Sequence, residues 1–161
     1  MRIGFGEDIH RTTNGKPLLL GGLSIEEGPQ LKGHSDADVL LHAITDAILG
    51  AAALGDIGTH FPDNDEKWLN MSSSYFLETA INLAKGKGLK LINIDATIKA
   101  KNPKLSPYIG AIRSRIAEIL AIEIDNVSIK AKSNEGLDAV GEGAAIAASA
   151  IVLMEETASN K

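Results

Sequence analysis

The sequence contains no cysteine, so disulfide bonds and thiolate chemistry are excluded, and its composition is compatible with a reducing compartment. It has no apolar run long enough to cross a membrane. A strand-like pattern begins directly after Met1, so we expect neither a membrane span nor a targeting leader. Acidic residues outnumber basic ones by 21 to 16, and the net charge of −5 argues against a nucleic-acid partner. A cytoplasmic protein that binds small molecules is therefore expected.

The length and the apolar content predict the general architecture. With 161 residues, 44% of them hydrophobic, residues 1–161 are expected to form a single domain with a sizeable core. Strand-like and helix-like segments alternate, which predicts an α/β fold with about three helices on one face of a small sheet. If the other face of the sheet is apolar, further protein must bury it, and a symmetric oligomer is the simplest solution. Residues 155–161 are predicted to be a frayed polar tail.

The first predicted strand, Arg2 to His10, carries two glycines and two potential ligands. Gly4 and Gly6 leave room for close backbone approach, which is unusual in a strand and indicates a nearby ligand or a bulge. Residues two apart in a strand point to the same side. Asp8 and His10 are therefore expected to present a carboxylate and an imidazole together.

A helix is predicted from about Asp36, with Ser35 as its N-cap because the serine hydroxyl can accept a backbone N–H of the first turn. Apolar residues at helical spacing form a core-facing stripe. Asp38, His42 and Asp46 stand four residues apart on another stripe, which alone is typical of a solvated helix face.

The remaining segments give weaker signals. They predict a hairpin at Leu18 to Ile25, a helix from Ser74 to Lys87, a strand from Leu91 to Ala100, a helix ending near Ala121 and a strand from Val127 to Ala131. Ser106 is expected to cap the second of these helices, with Pro107 at its first position. The run Ala144 to Met154 fits a helix by its alanine content and a strand by its alternation, so both remain open.

The loop after the central helix is acidic and rich in turn-forming residues. Asp56 has glycines on both sides, and Phe61 to Asp65 reads FPDND. A flexible lid is one interpretation of Asp63 to Ser73. An ordinary surface loop is the other, and we prefer it for Asn64 to Ser73.

Asp8, His10 and His42 together supply one carboxylate and two imidazoles. This is the ligand set of an open tetrahedral metal site, in which the fourth position is left for substrate or water. The set suits zinc, and also manganese, cobalt or iron, because the sequence specifies ligand types only. The chain has four histidines, and His10, His34 and His42 all fall in these two motifs. Such crowding of a scarce residue favours a functional site.

The motifs together resemble the 2-C-methyl-D-erythritol 2,4-cyclodiphosphate synthase family. They are Asp8-x-His10, His34-Ser35-Asp36, His42, the long run Thr45 to Asp63, Pro103-Lys104 and Glu135. The resemblance extends from Met1 to about Met154. It implies a mixed four-stranded sheet with helices on one face, an α+β sandwich, in which the last run is a strand. It also implies homotrimers whose sheets face a threefold axis and whose active sites lie between subunits.

The family reaction converts 4-diphosphocytidyl-2-C-methyl-D-erythritol 2-phosphate into a cyclic diphosphate and CMP, in the non-mevalonate route to isoprenoids. The substrate's own 2-phosphate attacks the β-phosphorus, so the enzyme supplies positioning and charge neutralisation. By resemblance, Asp8, His10 and His42 hold a zinc ion. Glu135 similarly corresponds to a ligand of a magnesium or manganese ion shared with the diphosphate.

The resemblance also implies the residues that contact the substrate. His34 and Ser133 are the implied transition-state stabilisers, and Asp46 is expected to orient His42. The implied substrate-binding residues are Asp8, His10, His34, Ser35, Asp56, Ile57, Gly58, Phe61, Pro62, Asp63, Asn64 and Asp65. The implied cytidine-binding residues, expected from the adjacent subunit, are Ala100, Lys101, Asn102, Pro103, Lys104, Leu105, Ser106, Ala131, Lys132 and Ser133.

The chain departs from many relatives at two places. Glu7 stands where they carry an aromatic residue, and Leu137 to Gly143 is shorter than the corresponding segment and lacks its arginine. Two other functions also remain open. The same ligands could activate water in a metal-dependent phosphohydrolase, which would release inorganic phosphate. A non-catalytic trimeric module could instead bind a nucleotide or a metal.

Overall fold

The computed structural model describes residues 1–157 as a mixed four-stranded sheet, in the order β1-β6-β4-β5, with a separate two-stranded hairpin. The strands are β1 (Arg2–Arg11), β2 (Leu18–Leu20), β3 (Leu23–Ile25), β4 (Leu89–Lys99), β5 (Val127–Lys132) and β6 (Ala145–Glu156). The α-helices are α1 (Val39–Ala51), α2 (Ile57–His60), α3 (Ser73–Gly86), α4 (Ile109–Leu120) and α5 (Asp138–Gly141). Short 3-10 helices cover Glu66–Trp68, Ile124–Asn126 and Asn134–Gly136.

The sheet confirms the predicted fold class. β6 pairs antiparallel with both β1 and β4, and β4 pairs parallel with β5. The last run, for which the pattern allowed helix or strand, is strand β6. Glu155 and Glu156, predicted to belong to a frayed tail, extend β6, and Thr157 is hydrogen-bonded to Gly88, while residues 158–161 of that tail lie outside the described residues. Among the described residues, no helix combines the length and the apolarity that a membrane span needs.

The helices α1, α3 and α4 cover one face of the sheet, as predicted, and their apolar sides form a continuous core with the strands. The opposite face carries large apolar side chains that no helix of the described chain covers. Ile3, Phe5, Ile9 and Ile151 are 73%, 58%, 57% and 48% exposed. A row of exposed apolar side chains on a sheet face is unusual for a monomer and is typical of an interaction surface.

Helix α1 lies directly against strand β1 because two positions of the strand have no side chain. A Cβ atom at Gly4 would overlap the carbonyl oxygen of Ala47, and one at Gly6 would overlap that of Ala43. The two glycines therefore make room for a helix backbone, and not for the ligand or the bulge that the sequence indicated. This packing places the end of β1 beside the middle of α1.

Helix α1 begins at Val39, so the predicted start at Asp36 and the predicted cap Ser35 are wrong. Asp38 is the N-cap, and its carboxylate accepts from the Leu41 N–H at 3.1 Å. The same carboxylate also accepts the N–H groups of the β2–β3 turn, at 2.9 and 2.7 Å. This contact with the hairpin, which local sequence does not encode, selects the later cap.

Two further helix starts differ from the predictions. Helix α3 begins at Ser73, one residue earlier than expected, with Ser72 as its cap. Helix α4 begins at Ile109, so Ser106 is not its cap. The Tyr108 N–H donates to the Leu105 carbonyl and closes a turn that contains Ser106 and Pro107 before the helix begins.

Candidate active site

A cleft of about 560 Å³ opens between the end of β1, the middle of α1 and the loop after α2. This volume suits a small-molecule ligand. Most of its lining residues belong to the predicted substrate site. The lining consists of Asp8, His10, Gly33, His34, Ser35, His42, Asp46, Ile57, Gly58, Phe61, Pro62, Asp63, Asn64, Trp68 and Phe76.

Asp8, His10 and His42 converge at the floor of this cleft. The Asp8 Oδ2 atom lies 2.9 Å from both His10 Nε2 and His42 Nδ1, and the two nitrogens are 3.1 Å apart. Asp8 and His10 are neighbours because they are two residues apart on β1, and α1 supplies His42. One oxygen and two nitrogens within 4.8 Å of one another could hold a metal ion.

The electrostatics of the cluster favour a charged carboxylate. Burial opposes the ionisation of Asp8, but hydrogen bonds and charge from His10 and His42 outweigh it and hold the pKa of Asp8 well below its usual range. Burial likewise acts to lower the pKa of His10. The hydrogen bond and charge of Asp8 reverse that effect, and the pKa of His10 is raised overall.

Each imidazole has a partner on its second nitrogen. His10 Nδ1 lies 2.8 Å from the Lys32 carbonyl oxygen, to which it can only donate. His42 Nε2 lies 2.8 Å from Ser73 Oγ and 3.1 Å from Ser35 Oγ. Both rings therefore turn one nitrogen towards the cluster and the other towards protein.

Asp46 does not orient His42, contrary to the prediction. Its carboxylate accepts the Ile57 N–H at 2.7 Å and so ties α1 to the start of α2. The side chain that faces His42 Nε2 most closely comes from 31 residues further along the chain. The solvated helix face that the spacing of Asp38, His42 and Asp46 alone would indicate does not form at Asp38 and His42, because these residues are 1% and 8% exposed.

His34 and Ser35 lie at the rim of the cleft. His34 Nε2 is 3.2 Å from the Asp65 carbonyl oxygen, which fastens the segment before α1 to the loop after α2. Ser35 Oγ accepts the Ala37 N–H at 3.2 Å within a turn. Both side chains border the space above the metal-ligand cluster.

The implied substrate-binding residues from Asp56 to Asp65 do not all line the cleft. Ile57, Gly58 and the segment Phe61 to Asn64 line the cleft. Asp56 and Asp65 lie beside it, with their carboxylates engaged as caps. Asp56 accepts from the N–H and the hydroxyl of Thr59, at 2.8 and 2.7 Å, and Asp65 accepts the Lys67 N–H at 3.0 Å.

An aromatic cluster behind the cleft was missed by the sequence reasoning. Phe61 stacks on Phe76 with ring centroids 4.4 Å apart, and Trp68 meets Phe61 edge-on at 5.1 Å. Most of Asn64 to Ser73 is exposed, as predicted for a surface loop, but Trp68 and Ser73 are 7% and 0% exposed and anchor the segment to the protein interior. The one tryptophan of the chain, between phenylalanines, was the available signal.

Of the predicted cytidine and magnesium residues, Ala131, Lys132, Ser133 and Glu135 lie at or just after the end of β5, the other edge of the sheet, whereas Ala100 to Ser106 follow the inner strand β4. The register pairs Lys132 with Lys99, Lys99 with Ala147, and Ala147 with Ile9. The end of β5 is thus three strand spacings from β1, roughly 14 Å. None of the predicted cytidine-binding residues, nor Glu135, lines the described cleft.

The residues after β5 form a compact exposed turn. Ser133 Oγ donates to Glu135 Oε1 at 2.9 Å. Asn134, Glu135 and Gly136 have positive φ values of 62°, 51° and 77°, which non-glycine residues rarely adopt. This strained turn presents the Ser133 and Glu135 side chains to solvent.

Comparisons with known proteins cover almost the whole chain. The model of the YgbB family matches residues 1–155. A curated 2-C-methyl-D-erythritol 2,4-cyclodiphosphate synthase from Gloeobacter violaceus is 53% identical over 156 residues, which are 97% of this chain and 96% of that protein.

Two solved structures share the fold. The bifunctional IspDF from Campylobacter jejuni matches with a TM-score of 0.93 and 40% identity, over 96% of this chain and 42% of that chain, so this chain spans less than half of the longer protein. A 2C-methyl-D-erythritol-2,4-cyclodiphosphate synthase in its CDP-bound form matches with a TM-score of 0.88 and 38% identity, over 96% of this chain and 100% of that chain.

Proposed function

Because the chain belongs to the YgbB family of enzymes, we propose that it converts 4-diphosphocytidyl-2-C-methyl-D-erythritol 2-phosphate into 2-C-methyl-D-erythritol 2,4-cyclodiphosphate and CMP. The observation that carries this proposal is the convergence of Asp8, His10 and His42 in a cleft that suits a small phosphorylated ligand. The reaction belongs to the non-mevalonate route to isoprenoids. The proposed compartment is the cytoplasm, in keeping with a sequence without cysteine.

The proposed chemistry is internal to the substrate, which makes the protein a phosphorus–oxygen lyase. An oxygen of the 2-phosphate forms a bond to the β-phosphorus. The bond from the β-phosphorus to the oxygen shared with the α-phosphate breaks, and CMP leaves with that oxygen and its electron pair. Since nucleophile and leaving group are both parts of one molecule, the chain has to fold the substrate and offset its crowded negative charge.

The residues present fit two divalent cations. Asp8, His10 and His42 combine a carboxylate with two imidazoles whose donor atoms converge, as a zinc site requires. The exposed carboxylate of Glu135 suits a magnesium or manganese ion shared with the diphosphate. When bound, these cations would polarise the β-phosphate and neutralise charge on the diphosphate.

The other polar residues would bind and orient the substrate. His34 borders the cleft beside the metal ligands, which supports a role as hydrogen-bond donor to the attacking phosphate. Ser133 would donate to the diphosphate and share with His34 the stabilisation of transition-state charge. Asp63, in the cleft lining, would accept hydrogen bonds from the methylerythritol hydroxyls. Ala100 to Ser106, with Ala131 and Lys132, would hold the cytidine.

A homotrimer with active sites between subunits is the proposed assembly. Two observations support it. The exposed apolar sheet face needs a partner, and the predicted residues Lys132, Ser133 and Glu135 lie at the end of β5, on the opposite edge of the sheet from Asp8 and His10. Around a threefold axis, the β5 edge of one subunit can meet the β1 edge of the next, so that each cleft is completed by its neighbour.

The test of the proposed reaction is incubation of the purified chain with 4-diphosphocytidyl-2-C-methyl-D-erythritol 2-phosphate and magnesium, followed by phosphorus NMR. CMP and a cyclic diphosphate are expected to appear together in equal amounts. Release of inorganic phosphate would instead identify a phosphohydrolase. Tight CDP binding without turnover would identify a binding module.

The shared active site can be tested by mixing subunits of two inactive variants, Asp8→Ala and Glu135→Gln. Each variant alone lacks one half of every site. In randomly mixed trimers, about one quarter of the sites should pair an intact Asp8 with an intact neighbouring Glu135, and activity should return to that extent. Unmixed variants combined only in the assay cuvette are the control. A sedimentation experiment that finds a stable monomer, or mixed trimers without activity, would overturn the shared site.

A further inference from the structure

His42 turns one nitrogen towards the metal-ligand cluster and the other towards the first residue of α3. Its Nδ1 atom faces Asp8 at 2.9 Å, and its Nε2 atom lies 2.8 Å from Ser73 Oγ. Ser73 is fully buried. It is also the residue at which the loop that lines the cleft passes into a helix. The contact therefore joins a proposed metal ligand to a distant element.

Asp36 determines which way the Ser73 hydroxyl points. The Asp36 carboxylate accepts both donors of Ser73, with one oxygen receiving the N–H at 2.9 Å and the other receiving the hydroxyl. An ionised carboxylate can only accept hydrogen bonds, so the hydroxyl proton has to lie between Ser73 and Asp36. The Ser73 oxygen then faces His42 as an acceptor.

We propose that Asp36 and Ser73 are positioning residues that hold His42 as the tautomer with its proton on Nε2. That tautomer keeps a lone pair on Nδ1, the atom that faces the cluster, and metal ligation needs this lone pair. The proposal rests on the zinc site of the proposed function. It adds two residues that touch neither substrate nor metal and act through the ring they orient.

The two histidines of the cluster are held differently, which makes the proposal testable. His10 donates from Nδ1 to the Lys32 carbonyl, a main-chain atom that no substitution removes. His42 depends on side chains. Ser35 Oγ, the other atom near His42 Nε2, is more distant at 3.1 Å and also accepts the Ala37 N–H at 3.2 Å. His10 thus serves as an internal reference for effects on His42.

Two variants separate the roles of the hydroxyl and the carboxylate. Ser73→Ala removes the acceptor of the His42 proton. Asp36→Asn keeps one oxygen for the Ser73 N–H and turns its amide donor towards the Ser73 oxygen. The serine hydroxyl would then donate to His42 Nε2, and the imidazole proton would move to Nδ1, where it blocks ligation. Ser74→Ala is the matched control, one position along the same helix and without contact to His42.

The experiment measures zinc affinity of the full chain by competition with a chromogenic chelator. Ser73→Ala and Asp36→Asn are each expected to weaken zinc binding about ten- to one-hundredfold, as for other partners of ligating histidines, and Ser74→Ala to leave it unchanged. Affinity within twofold of the unsubstituted chain in both variants would overturn the proposal. If the unsubstituted chain itself binds no zinc, the metal site of the proposed function fails as well.

A second measurement does not require that the variants fold. Histidine-labelled, zinc-loaded unsubstituted protein should show, by nitrogen-15 NMR, one slowly exchanging Nε2–H from His42 and one Nδ1–H from His10. A fast-exchanging His42 proton would overturn the proposal even if Ser73→Ala and Asp36→Asn could not be purified. In a folded Ser73→Ala protein the His42 signal should be lost to exchange, while the His10 signal should remain.

Discussion

The two edges of the sheet carry the two halves of the proposed active site, and they are built in opposite ways. At the β1 edge, Asp8 and His42 are largely shielded, with side chains 27% and 10% exposed, and every ring nitrogen of the cluster has a partner. At the β5 edge, Ser133 and Glu135 are exposed and hydrogen-bonded to each other on a strained turn.

This difference shows which half the chain can organise alone. Metal ligands that are partly shielded and hydrogen-bonded to their surroundings are held in place before the metal arrives, and such preorganisation lowers the free-energy cost of binding it. The turn that carries Ser133 and Glu135 is exposed and has positive φ values, so its own chain does little to hold these side chains in place. We infer that the half of the site at the β5 edge, with Ser133 and Glu135, becomes ordered for catalysis only when it contacts the neighbouring subunit and the substrate.

The largest effect is expected from Asp8→Ala, which removes the atom shared by both histidines. Zinc binding should be lost, and turnover should fall by roughly a thousandfold or more because the β-phosphate is no longer polarised. Metal analysis and phosphorus NMR measure the two effects. Asp125→Asn, at a side chain 96% exposed and remote from the cleft, is the control. Full turnover by Asp8→Ala would show that the residues at the β1 edge, Asp8, His10 and His42, are not part of the active site.

A smaller loss of turnover, roughly a hundredfold, is expected for Glu135→Gln, with zinc affinity intact. The side chain is exposed, so the free energy of unfolding should change by no more than about 0.5 kcal/mol. Thermal unfolding and zinc titration, run beside the kinetics, separate these effects. Loss of zinc binding in this variant would contradict the division of the site into two halves.

The smallest expected effect is a pH dependence confined to the β1 half. In the metal-free protein the raised pKa of His10 stabilises the fold below the ordinary value of 6.5, and this contribution is lost as the pH rises through the raised value. The lowered pKa of Asp8 stabilises the fold above 3.8, and that contribution is lost as the pH falls towards the lowered value. The metal-free cluster therefore contributes most between these two limits.

Below the raised pKa of His10, zinc has to displace the proton of its imidazole, so zinc binding should strengthen with pH there by about tenfold per unit for one proton. Unfolding temperatures of the metal-free and zinc-loaded chain from about pH 5 to pH 8 measure this change. Asp8→Ala should show no zinc-dependent shift at any pH. A zinc-induced shift that is constant across the series would show that zinc displaces no proton from His10 in this pH range.

The fold could be predicted where one chain segment determines its own structure. The alternation in β1 placed Asp8 and His10 side by side, and the hairpin followed from its glycines. The start of α1 could not be predicted, because Ser35 and Asp38 are both good caps. The turn of a distant hairpin decides between them by donating two N–H groups to Asp38.

The functional site, too, could be predicted only where nearby residues of the sequence determine the contacts. The convergence of Asp8, His10 and His42 was expected from residue types and spacing, whereas the partner of His42 was not. Asp46 stands one helical turn from His42 and was the obvious choice, yet it binds Ile57 instead. Ser73 reaches His42 from another helix, and no local pattern reveals a contact across 31 residues.

The glycines of β1 have a consequence for inherited variation. Gly4 and Gly6 let the strand rest on the backbone of α1, and this contact sets the distance from Asp8 and His10 to His42. Adding one methyl group at Gly6 would push the helix away from the strand and spread the ligands apart. An allele that changes only this glycine should therefore behave as a metal-deficiency mutation, although every ligand is still encoded.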